Sequence, residues 1–240
     1  MFEELYEKSG TDMRTMLFRQ YRMHKDIAAL INQFYVNTDA GRLESPASEF
    51  KRHCCQGRGI NADNHVIWYD VPNIEKYYEK KNNKSYSNEF EAECIKKILC
   101  LLEKNLTDNN SHKSIGIITF YDAQVKLIEE KLINNGYYKR FGHITLRIGS
   151  VDRFQGMEED IILISFARNN NEHAIGFARD SRRINVALSR AKELLIIVGS
   201  SDNFIKSGNN ETSKMFETVY NIIKKLDGLK NAEDLPELYV

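Results

Sequence analysis

Arg183 and Arg190 stand seven residues apart in DSRRINVALSRA (180–191), the stretch of this chain richest in candidate chemistry. On a helix of 3.6 residues per turn they project within about 20° of each other. They lie beside an apolar face of Ile184, Ala187, Leu188 and Ala191 that can pack on a sheet. Asn185 and Ser189, four apart, share the other side. Guanidinium groups held by a packed helix suit an oxyanion such as phosphate, to which each offers paired donors. The plainer alternative is a surface helix with solvated arginines. Composition leans to the first: seven of the 14 arginines lie from Arg147 to Arg190, and no lysine lies among them. A solvated surface mixes the two cations, whereas arginine alone presents a planar, bidentate fork.

Two further segments carry unusual combinations. SVDRFQGMEED (150–160) puts a glycine turn and a carboxylate pair ahead of an apolar run. Gln155 and Gly156 let the backbone approach a ligand closely, while Glu158 and Glu159 either serve that ligand or simply cap and solvate a turn. FRQYRMH (18–24) joins an aromatic to an arginine. Tyr21 can stack on a base and Arg22 can reach phosphate, or Tyr21 belongs to the core and Arg22 to the solvated surface. His53, Cys54 and Cys55 have no second ligand pair at finger spacing, so no metal held by this chain is expected and the cysteines read as reduced thiols.

Apolar clusters at 15–18, 65–71, 114–120, 144–151, 160–167 and 193–199 read as strands. Several are continuously apolar, as in parallel strands covered on both faces. Helical periodicity marks 25–36, 88–106, 123–134, 181–192 and 214–226, with Asn88 and Glu91 spaced as a capping box. Such alternation predicts an α/β fold, an open and mostly parallel sheet with helices on both faces. Residues 1–240 read as one domain, with 37–64 an irregular excursion and 207–240 a C-terminal helix and tail. Ligands of such sheets are expected at the carboxyl ends of the strands.

The remaining composition mostly excludes. A content of 42% hydrophobic and 28% charged residues argues against disorder, and a net charge of zero announces no global basic field. No apolar run approaches the roughly 18 residues that span a bilayer. The opening MFEELYEKSG is acidic and unlike a signal peptide. A cytoplasmic protein without a membrane partner is the expectation.

QYRMH (20–24), IITFYDAQ (117–124), SVDRFQGMEEDIILIS (150–165) and RRINVALSRA (182–191) together resemble, in order and spacing, the later motifs of superfamily 1B helicases, in particular the group containing senataxin and the nonsense-mediated-decay helicase. VIWYDV followed by S-x-x-N-x-x-E-A (85–92), and IGFARDSRR (175–183), look like that group's linking segments. The resemblance implies a RecA-like second motor domain that closes over ATP and Mg²⁺ bound mainly elsewhere. It implies that Tyr21 stacks on adenine, that Arg22 and Arg190 contact the γ-phosphate, and that Glu158 hydrogen-bonds the nucleotide. Gln20, Gly156 and Arg183 fall with the nucleotide side. Thr119, Ser150 and Arg153, with Asn185, fall with the backbone of single-stranded DNA or RNA. Arg153 departs from the best-known relatives, which carry a small residue there.

A P-loop needs G-x-x-x-x-G-K-[ST], and none of the 13 glycines precedes a lysine. No strand ends in the Asp–Glu pair that holds Mg²⁺ and orients water; VIWYD ends in Asp70 alone, which reads as a structural terminus. Nucleotide grip, metal and water activation are therefore expected on an N-terminal RecA-like partner domain. The start 19 residues before QYRMH reads as a cut between motor domains, with 1–14 as the interdomain edge. By itself the chain is expected to be inactive as an ATPase. A stand-alone nucleic-acid-binding or regulatory module is the alternative. A dinucleotide enzyme is excluded by the absence of G-x-G-x-x-G.

Overall fold

The computed structural model describes residues 19–34, 43–46, 55, 60–134, 136, 139, 141–208 and 210–237. Its strands are β1 (Val66–Asp70), β2 (Lys80–Asn82), β3 (Ser85–Ser87), β4 (Lys113–Thr119), β5 (Ile144–Ser150), β6 (Glu159–Ser165), β7 (Ala191–Gly199) and β8 (Leu229–Asn231). Its helices are α1 (Lys25–Asn32), α2 (Glu89–Asp108), α3 (Asp122–Asn134), α4 (Ser181–Leu188), α5 (Ser201–Ile205) and α6 (Asn210–Lys225). Six strands form one sheet in the order β5-β4-β6-β7-β1-β8, every neighbouring pair parallel. β2 and β3 form a separate antiparallel hairpin.

Alternation along the central strands feeds two cores. Ile115, Ile117, Ile161, Leu163, Leu194 and Ile196 face α2 and α3. Trp68, Ile118, Ile162, Ile164, Leu195 and Ile197 face α1, α4, α5 and α6. Each is essentially inaccessible, and full burial of such a side chain contributes roughly 1.5–3 kcal/mol. This is the open parallel α/β sheet that the apolar runs predict, in the RecA-like arrangement that the resemblance implies.

Several details depart from the sequence reading. The expected strand at 15–18 and most of the 37–64 excursion lie outside the described residues. The β2–β3 hairpin and β8 were not foreseen, and β8 means that the stretch beyond α6 joins the sheet edge. Only half of the capping box forms. Asn88 Oδ1 accepts from Glu91 N at 3.0 Å, but the Asn88 amide goes to Gln124 Oε1 at 2.7 Å. The Glu91 carboxylate turns inward instead, accepting from Ser165 Oγ and the Ala167 amide.

The largest correction concerns α4, which stops at Leu188 rather than running to 192. Ser189 caps it, and Ala191 already pairs with Glu159 in the sheet. Strand pairing overrides the helical pattern, so Arg190 leaves the helix and no longer shares a face with Arg183.

Candidate functional site

The sequence-expected residues separate to opposite ends of the sheet. Glu158 and Arg190 immediately precede β6 and β7, at the amino ends of those strands, and not at the carboxyl ends where ligands were expected. Arg190 Nη1 donates to the Met157 carbonyl at 3.1 Å, its Nε to the Val186 carbonyl at 3.0 Å and its Nη2 to Ser189 Oγ at 2.8 Å. Arg22 reaches the same place from the loop ahead of α1. Its Nε donates to Glu158 Oε2 at 2.5 Å and its Nη1 to the Ser189 carbonyl at 3.3 Å. Lys192 Nζ lies 3.4 Å from Glu158 Oε1. The Arg22 guanidinium, and secondarily Lys192, hold the Glu158 carboxyl below the usual carboxylate range.

Local bonding explains why the loop presents these groups. Gln20 folds it, its Oε1 accepting from the Met23 amide at 2.7 Å and its Nε2 donating to the Met23 carbonyl at 2.8 Å and to Ser45 Oγ. Gln20 thus spends its amide on shaping the loop. Tyr21 projects from that turn with 55% of its surface exposed. The His24 amide donates to the Lys192 carbonyl at 2.9 Å, and its ring stacks on His65 with centroids 3.4 Å apart, which ties the loop to the start of β7. Burial pushes the His65 ring below its ordinary range and favours the neutral form. Gly156 takes φ +82° in the turn that returns the chain to Glu158, a conformation that costs any residue with a Cβ.

A groove of about 420 Å³ lies at the other end, beyond the carboxyl ends of β4 and β5. Ser150 and Arg183 line it, with Lys84, Phe120, Asp152 and Phe177 among others. Arg183 Nη2 donates to Asp152 Oδ2 at 3.2 Å, and its guanidinium stands 5.3 Å from the Phe177 ring. Arg183 therefore groups with Ser150, away from Arg190. Phe154 anchors the connecting 3₁₀ turn (Val151–Phe154) against Gly116, where a Cβ would lie 2.7 Å from its ring. Arg153 is exposed on that turn and Asn185 is half-buried on α4. Thr119, expected beside a single strand, is 0% exposed between Ser150 and Ser165 of the neighbouring strands.

Behind the groove runs a buried polar network. Glu79 pairs with Arg168 at 2.8 Å and accepts from the Asn169 amide at 2.7 Å. Arg168 also lies over the Tyr86 ring at 4.0 Å. Burial pushes the Glu91 carboxyl up to about 8, against the pull of Ser165 and the Ala167 amide. Asp70, read as structural, accepts from Ser201 N and Oγ at 2.8 Å each and so caps α5. Among the described residues no cluster of His, Cys, Asp and Glu is placed to hold a metal, and no helix is long and apolar enough to cross a membrane.

Comparison with known proteins decides the family. Residues 1–202 match the family described as AAA domain. The chain is 32% identical over 201 residues to the ATP-dependent helicase upf1 of Schizosaccharomyces pombe, covering 83% of this chain and 21% of that protein. It is 30% identical over 204 residues to the helicase sen1 of the same yeast, covering 82% of this chain and 11% of that protein. This chain belongs to the superfamily 1B helicases of the upf1 and sen1 group. A third relative, the DNA polymerase alpha-associated DNA helicase A of that yeast, is 32% identical over 216 residues, 84% of this chain and 30% of that protein. The chain thus spans less than a third of each of these relatives. Sequence reasoning did not single out Lys192, Asp152, Lys84 and Phe177. Phe177 lies inside IGFARDSRR, a segment the resemblance had flagged, whereas Lys84 lies in a polar hairpin that gives no periodic signal.

Proposed function

We propose that this chain is the second motor domain of an ATP-dependent superfamily 1B helicase and that its amino-end cluster serves ATP held by an N-terminal RecA-like domain. The observation that carries the reading is the gathering of Arg22 and Arg190 around Ser189, next to Glu158. The donor set is two guanidiniums and the Lys192 ammonium beside one carboxylate, which pairs with Arg22 and Lys192. It fits a polyphosphate and does not fit Mg²⁺, which takes a shell of oxygen ligands. Mg²⁺ held by the partner domain supplies charge neutralisation at the phosphates. Arg22 and Arg190 add donors where charge develops on the transferred phosphoryl group. Tyr21 offers an exposed ring for the adenine face, and Glu158 releases Arg22 to phosphate while accepting from the ribose. Ser150 and Arg153 contact the backbone of single-stranded DNA or RNA from the other end.

Turnover measurements test this directly. The isolated 240-residue chain hydrolyses no ATP with saturating single strand, because P-loop and Asp–Glu pair are absent from its sequence. Joined to a P-loop-bearing first domain, it supports turnover on the order of 1 per second. Hydrolysis at that rate by the isolated chain, undiminished on repurification, overturns the half-site reading.

A further inference from the structure

We infer that the groove walled by Phe177, Arg183 and the Asn82–Ser85 turn is a seat for one unpaired nucleobase, held by stacking and indifferent to base identity. This rests on the reading of the chain as a single-strand-binding motor domain, and it assigns Phe177, Lys84 and Asp152 parts that the motifs alone do not suggest.

Exposure is the first ground. Phe177 leaves 49% of its surface open, while the aromatics beneath it, Phe120 and Tyr121, are 6% and 3% exposed. A single exposed aromatic is ordinary, but this one is held in place. Gly176 has φ +56°, and a Cβ there would stand 2.0 Å from Tyr121 Oη and 2.7 Å from Arg168 Nη1. The Phe177 amide donates to Tyr121 Oη at 3.1 Å, and its ring leans on Tyr121 with centroids 5.3 Å apart. The turn is therefore packed so as to present the ring and is fixed before any ligand arrives, which cuts the ordering cost of binding.

Charge is the second ground. Lys84 and Arg183 line the groove together with Asp122 and Asp152, so its charged lining sums to zero. Such a lining does not trap phosphate. It suits a flat, uncharged ring with polar edges, which aromatic rings and guanidinium planes both stack against. Asp152 holds the Arg183 guanidinium over the Phe177 ring, so the guanidinium offers the outer stacking plane. Asn82 and Asn83 also line the groove, and side-chain amides carry both the donors and the acceptors that a base edge needs whatever its identity. The sugar-phosphate backbone then runs outside, past exposed Arg153.

The test compares two strands of equal length and charge, one carrying bases and one abasic throughout, offered to the full 240-residue chain at low salt in both deoxyribose and ribose form. The parent chain prefers the base-bearing strand. Phe177→Ala removes the preference by weakening binding to that strand roughly 5- to 150-fold, the loss of one stacked base. It leaves the abasic affinity unchanged, and Phe177→Tyr restores the preference. A Phe177→Ala chain that melts with the parent yet keeps the preference overturns the inference and leaves the motor-domain reading standing. Failure of the parent chain to bind either strand overturns both.

Discussion

The two ends of the sheet are built on different principles. At the amino ends of β6 and β7, Arg22, Glu158 and the Arg190–Lys192 stretch come from three separate segments and stay partly open to water, the Arg22–Glu158 pair with side chains 34% and 43% exposed. At the carboxyl ends, the groove is backed by charges taken almost wholly out of solvent, with Glu79 and Arg168 side chains 6% and 8% exposed. A solvated ion pair contributes little to stability and exchanges partners cheaply, which suits groups that must meet charge during a reaction. A buried pair is costly to break, which suits a wall that must keep its shape.

The largest expected effect would separate the two ends by function. In the protein carrying both motor domains, Arg190→Ala lowers ATP turnover at saturating strand by roughly 10³ to 10⁵-fold, and Arg190→Lys rescues little because it lacks the planar fork. Single-strand affinity holds, and Arg182→Ala, at a side chain 75% exposed beside Asp180, leaves turnover near that of the parent. If Arg190→Ala loses strand binding along with turnover, the ends do not divide the labour.

Packing comes next. Gly176→Ala forces a Cβ onto Tyr121 and Arg168 at a left-handed φ of +56°. The expected loss is about 3 kcal/mol in urea unfolding, together with weakened strand binding and unchanged nucleotide affinity. A further effect is electrostatic and shows as a slope with pH. Glu91 holds its proton in the folded chain to about pH 8, whereas the ordinary value is 4.5. Its folded-state proton therefore stabilises fully below pH 4.5 and less as pH rises towards 8, with a slope of up to about 1.4 kcal/mol per pH unit. Glu91→Gln flattens that slope relative to the parent in thermal melts from pH 5 to 8. The smallest effect belongs to the open end. Gly156→Ala has φ +82° but nothing within 4 Å of its Cβ, so it costs about 1 kcal/mol of conformational strain and nothing in packing.

What could be read from sequence follows the range of the forces involved. β4, β6 and β7 were legible because buried parallel strands write continuous apolar runs. Ile184, Ala187 and Leu188 were legible as the buried face of α4. The end of α4 was not, because the helical pattern continues through Arg190 and Ala191, and only the pairing of Ala191 with Glu159 shows that a strand has begun. Glu91 has the spacing of a capping residue, but its carboxylate is claimed by Ser165, 74 residues away. Thr119 was placed beside a single strand only by the resemblance, and two neighbouring strands flank its buried side chain. The Lys80–Ser87 hairpin is polar throughout its first strand and turn, so nothing in its pattern announced a wall.

α4 gives the proposed motor a mechanical property. Its eight residues span about 12 Å, with Arg183 near one end and Arg190 just past the other, and three buried side chains bolt it to the sheet. A rod of two turns cannot absorb a displacement by stretching, so in the proposed motor the two arginines would shift together. Coupling of this kind is reciprocal. Nucleotide bound at one end and strand bound at the other would change each other's affinity by the same factor.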